Sequence, residues 1–139
     1  MTTKSAATAL TVARPGRLRD GLNALLLATP HIVKVDNADD GPTALRILAE
    51  SAPAIVFLDS DLLDDGACAT LRQIKAHWPH TRCIVLAGDA QQQHQARANG
   101  ADEALLRGFP VAELCATVER LLRDVTAQPD IEGAQFGVA

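Results

Sequence analysis

The chain has 139 residues, a net charge of −4, 47% hydrophobic and 22% charged residues, the profile of one globular domain that buries a core without metal or disulfide staples. The acidic balance excludes the Lys/Arg field that holds nucleic acid, and apolar runs such as Leu25-Leu26-Leu27-Ala28 are too short to span a bilayer. Residues 1–8 carry one lysine and no apolar segment, which predicts no secretory leader, and 3 cysteines without close spacing predict a reducing compartment, the cytoplasm.

Short apolar runs alternate with amphipathic stretches along the chain. Thr8 to Ala13 reads as a buried strand, ended by Pro15-Gly16. Arg17 to Ala28 sets Leu18, Leu22, Leu25 and Leu26 at helical spacing, and Ile32 to Val35 is a second strand. Pro42 marks a helix start with Ala44, Leu45 and Leu48 on one face. Ala54 to Leu58 is continuously apolar and ends in Asp59, the pattern of a central parallel strand covered on both faces. A third helix carries Leu71, Ile74 and Trp78 and is stopped by Pro79. Cys83 to Leu86 is the fourth strand. Gln91 to Asn99 is helical with Gly100 closing it, and Glu103 to Leu106 is the fifth strand. Val111, Leu114, Val118, Leu121, Leu122 and Val125 form the strongest apolar stripe, on the last helix.

This alternation predicts an α/β, doubly wound parallel sheet of five strands in flavodoxin-like order 2-1-3-4-5, with right-handed crossovers and helices on both faces. Working groups in such sheets sit beyond the carboxyl ends of the strands, here after Val12, Leu58, Leu86 and Leu106. The expected organisation is a disordered stretch over 1–7, one domain over 8–126, and a flexible tail or linker start over 127–139, which has Pro, two Gly and no apolar period.

Through Leu18 to Leu22, Ala54 to Asp59 and the block Gly100 to Pro110, the chain from about Ala9 to Arg123 resembles the receiver domain of bacterial two-component response regulators, in particular those with a C-terminal helix-turn-helix. The resemblance implies that Asp59 stands where the phosphoryl group is accepted. It also implies that Ala13 and Arg14 replace the acidic pair that binds Mg²⁺, that Ala87 replaces the switch Ser/Thr, and that Arg107 replaces the phosphate-holding lysine. Ala104 stands for the switch aromatic and Leu63 for the proline that follows the acceptor. Of these positions only Asp59 matches the family pattern, so the resemblance implies an atypical receiver.

Phosphoryl transfer depends on positioning and on cations that neutralise the transferring group, and Mg²⁺ requires hard oxygen ligands in near-octahedral geometry. Asp59 with Asp61 makes a weak metal site, and Mg²⁺ binding is expected to be weak or absent. Arg14 is expected to form an ion pair with Asp59, an attraction of roughly 4 kcal/mol at about 4 Å and an effective dielectric near 20 before desolvation. The opposing reading sets Arg14 and Arg107 together as a cradle for an oxyanion.

Other features read as structural. Asp59, Asp61, Asp64 and Asp65 suit an acidic loop entering a helix N-terminus, and Asp89 suits a cap on the Gln-rich helix. Cys83 and Cys115 read as packing; Cys68 near a helix start is a redox candidate outweighed by simple burial. The Gln-rich helix has few apolar contacts and is expected to be the most mobile element, its glutamines facing solvent. The expected role is non-enzymatic signalling through protein partners, such as a histidine kinase, an output domain or a second copy in a homodimer, with no nucleic acid and no membrane bound by this domain. Alternatives are a conventional receiver phosphorylated on Asp59 that regulates a DNA-binding output domain, and a flavodoxin-like cofactor binder using Arg14-Pro15-Gly16-Arg17.

Overall fold

A computed structural model describes residues 6–60 and 66–123, with side chains from 68 onward in the second stretch. In chain order the elements are β1 (Ala7–Val12), α1 (Arg17–Ala28), β2 (Ile32–Ala38), α2 (Gly41–Ser51), β3 (Ile55–Asp59), α3 (Gly66–His77), β4 (Arg82–Ala87), α4 (Ala90–Ala98) and β5 (Glu103–Leu106). Residues 111–123 form α5. The 5 strands lie in the order β2-β1-β3-β4-β5, and every pairing is parallel. The expected architecture is therefore the observed one. β1 starts at Ala7, one residue earlier than expected, and β2 runs on to Ala38.

Period-2 alternation divides the core between the two faces of the sheet. Ile55 and Phe57 point into a layer with Leu22, Leu26, Leu114, Val118 and Leu121 from α1 and α5. Val56 and Leu58 point the other way, among Leu48, Leu71, Ile74, Cys83 and Ala96. All five residues of β3 are buried, which explains why that strand had to be continuously apolar. Each such large side chain contributes about 1.5–3 kcal/mol by leaving water.

The helix ends follow local chemistry. Asp40 caps α2 by accepting from the Thr43 N–H at 2.8 Å, with Pro42 in the first turn. Asp89 caps α4 by accepting from the Gln92 N–H at 2.8 Å, as expected. At the other end of α4, the Ala101 N–H donates to Ala96 O at 3.0 Å and the Gly100 N–H to Arg97 O at 3.2 Å. This reversal needs the left-handed backbone that Gly100 adopts, φ 110°. Leu18 and Val111, placed on apolar stripes by their spacing, are exposed; both stand in the first turn of their helices, at the carboxyl edge of the sheet, where none of the described layers covers them. Among the described residues no helix is long and apolar enough to cross a membrane.

Candidate functional site

The strand registers bring four chain segments to one edge. Val12 pairs with Leu58, Asp59 with Leu86, and Ala87 with Leu106. Asp59 is thus the last residue of the central strand, and it is buried despite its charge. Buried carboxylates require a partner. Arg107 supplies one: its guanidinium Nη2 pairs with Asp59 Oδ1.

The geometry behind that pair is specific. Arg107 follows β5, and its N–H donates to Ala87 O at 2.9 Å. To reach β3 the guanidinium crosses the end of β4, and adjacent strands are about 4.8 Å apart. At the crossing point stands Ala87, fully buried and only a methyl group deep. A methyl group at the end of β4 is small enough to let the guanidinium reach Asp59.

Arg14 was expected at Asp59, and here the structure corrects the expectation. Arg14 is exposed, and the ion pair at Asp59 belongs to Arg107. Pro15 holds the preceding residue in extended backbone, and the turn carries the Arg14 side chain to solvent. A different guanidinium, which sequence reasoning missed, covers the end of β1. Arg19 Nη1 donates to Ala13 O at 3.1 Å and to Asp39 Oδ1 at 2.5 Å. Ala13 is buried and contributes no side-chain ligand. The signal for Arg19 was its place in the first turn of α1, directly above the strand end, together with the Asp39-Asp40 pair after β2.

Two further groups were missed. Ser60, buried next to Asp59, has its hydroxyl 2.8 Å from Leu86 O and 2.9 Å from Gln92 Oε1. The Gly88 N–H donates to the same Oε1 at 2.7 Å, which fixes the orientation of the Gln92 amide. Gln93 Nε2 donates to Ala104 O at 2.7 Å. The first two half-buried glutamines of α4 are therefore tethers, where plain solvent exposure was expected for them. Ala104 itself is buried.

Other expectations resolve simply. Asp61, Leu63, Asp64 and Asp65 lie outside the described residues. Among the described residues no group of three His, Cys, Asp or Glu side chains could hold a metal ion. Cys83 is buried, and loss of hydration pushes its thiol up to about 12, so it packs and does not react. Cys68 and Cys115 are half-buried. His77 packs on Trp78 with ring centroids 5.6 Å apart, at the opposite end of the sheet from Asp59. A cavity of about 480 Å³ also lies at that far end, lined by residues including Ala7, His31, Ala54 and Leu122.

An acidic side chain thus ends the central strand of a β2-β1-β3-β4-β5 sheet, the architecture of a doubly wound α/β domain. The chain belongs to the response regulator receiver domain family, whose model matches residues 17–119. It is 32% identical over 101 residues to the transcriptional regulatory protein KdpE of Mycobacterium tuberculosis, covering 71% of this chain and 44% of that one. The chain thus spans less than half the length of the curated relatives it matches. The receiver domain of NtrX from Brucella abortus superimposes with a TM-score of 0.74 at 27% identity, covering 83% of this chain and 98% of that one. A longer NtrX structure, in complex with ADP, gives a TM-score of 0.82 at 25% identity over 94% of this chain and 29% of that chain.

Proposed function

We propose that this receiver domain works as an atypical signalling module, through protein–protein contact and self-association, without a Mg²⁺-dependent phosphorylation cycle. The observation that carries the reading is the Arg107–Asp59 ion pair. It engages the acceptor carboxylate with a cation that is part of the chain. Among the described residues, those around it do not fit a magnesium ion: Ala13 and Arg14 offer no carboxylate, and the guanidinium of Arg19 already donates to Ala13 O. Ala87 has no hydroxyl to draw toward a phosphoryl group, and a conformational change requires an interaction that differs between the two states. In this reading the domain is not an enzyme, binds neither nucleic acid nor membrane by itself, and lies in the cytoplasm. Its partners are a histidine kinase, an output domain or a second copy of the chain.

A conventional cycle is the second reading, favoured by the presence of Asp59 at the end of β3. Incubation with acetyl phosphate and Mg²⁺, followed by intact-mass measurement, separates the two. The atypical reading expects no phosphoryl adduct and no calorimetric heat of Mg²⁺ binding. An adduct that disappears in Asp59→Asn would overturn it. Mass and calorimetry are the proper readouts, because Trp78 sits at the opposite end of the sheet.

A further inference from the structure

The hydrogen bonds around Asp59 close into a ring. Asp59 is joined by its peptide bond to Ser60, whose hydroxyl proton is shared between Leu86 O and Gln92 Oε1. That Oε1 also receives the Gly88 N–H. Gly88 is joined to Ala87, Ala87 O receives the Arg107 N–H, and the Arg107 guanidinium returns to Asp59. The ring holds the ends of β3, β4 and β5 and the first turn of α4 in one circuit.

α4 depends on that circuit more than the other helices do. Ala96 is its only buried residue, so apolar packing does little to fix its place. Its first turn is held by polar ties: Gln92 to Ser60 and Gly88, Gln93 to Ala104 O. We propose that Ser60 and Gln92 are positioning residues that couple the charge state of the Asp59–Arg107 pair to the position of α4. They supply a mechanical link that Ala87 and Ala104 cannot. The proposal rests on the reading of the Asp59 edge given above and deepens it: whatever competes for Asp59 or for Arg107 is felt at the α4 surface by way of Ser60. Such coupling is reciprocal.

Hydrogen exchange on the full chain tests this, with Asp59→Asn removing the charge from the pair. The Gly88 and Gln92 amides should exchange about fivefold faster in Asp59→Asn, the worth of one net hydrogen bond, while Leu22 and Leu26 in α1 stay unchanged. In a Ser60→Ala background the same charge removal should change those rates by less than about twofold, because the link is already cut. Gln92→Ala cuts it from the α4 side, leaves the buried serine in place, and should give the same cancellation. Rates unaffected by Asp59→Asn, an equal acceleration with and without the Ser60–Gln92 bond, or a matching acceleration in α1 would each overturn the proposal. No phosphate or magnesium enters this measurement, so its failure is distinct from failure of the acetyl phosphate test.

Discussion

Removing the Arg107 guanidinium should destabilise the domain more than removing the charge it pairs with. The Asp59 side chain is 11% exposed and that of Arg107 34%, so the two partners do not lose equally when parted. Opposite unit charges about 4 Å apart at an effective dielectric near 20 attract by roughly 4 kcal/mol. Water reaches the arginine, and screening with side-chain entropy removes much of this. What survives in Arg107→Ala is the cost of taking this cation from a carboxylate held beneath the strand ends, about 1–2 kcal/mol after that discount. In Asp59→Asn the neutral amide oxygen can still accept a hydrogen bond and the arginine can swing out into water, so the loss should stay below about 1 kcal/mol. Urea unfolding followed by circular dichroism is the assay. At a slope of about 1–3 kcal/mol/M, Arg107→Ala should lower the midpoint by up to about 1 M. Coincident midpoints for Arg107→Ala and the native chain, or a larger loss for Asp59→Asn, would refute the reasoning.

Three other outcomes are expected. Restoring acids with Ala13→Asp and Arg14→Asp should raise Mg²⁺ affinity, and Arg107→Lys added to them should raise it again by easing the competition for Asp59; calorimetric heats equal to the native chain's would count against this fit argument. Gly41→Ala should cost about 1–3 kcal/mol by overpacking, because a Cβ there would stand 2.6 Å from Thr70 Oγ1, and thermal unfolding should show most of the loss recovered when Thr70→Ala is added. Cys83 should resist iodoacetamide at pH 8 in the folded protein while half-buried Cys68 and Cys115 are modified. Its thiol lies above the ordinary value of 9.0 when folded, so the contribution to stability is intact below pH 9 and is lost as pH rises toward 12; peptide mapping and alkaline urea curves read the two effects.

The fold was legible because two periodicities dominate this chain. A strand buried on both faces must be apolar throughout, so Ile55 to Leu58 announced the sheet centre and Asp59 its edge. Helix limits were legible wherever a cap or a breaker sat, as at Asp89, Pro42 and Gly100. The partner of Asp59 was not, because near-identical guanidinium groups at 14, 19 and 107 differ only in where the backbone aims them. The resemblance put Arg14 at the position of a cation-binding acid and so favoured it, yet the deciding facts were the exposure of Arg14 and the hydrogen bond of Arg107 N–H to Ala87 O. The tethers of Gln92 and Gln93 were hidden for a related reason. A run of glutamines has no apolar period, and its role appears only once the carbonyl of Ala104 and the hydroxyl of Ser60 are in place.

The lane over Ala87 also bears on how such a domain can change by mutation. A branched hydroxyl side chain introduced there would obstruct the guanidinium that now crosses it, and so would part Asp59 from this cation before offering anything in return. Replacing Arg107 first would uncover the same carboxylate with no hydroxyl or acidic pair ready to use it. Each single step toward the family pattern therefore passes through a less stable intermediate, and positions 87 and 107 should be epistatic: substitutions harmful alone should be tolerated as a pair.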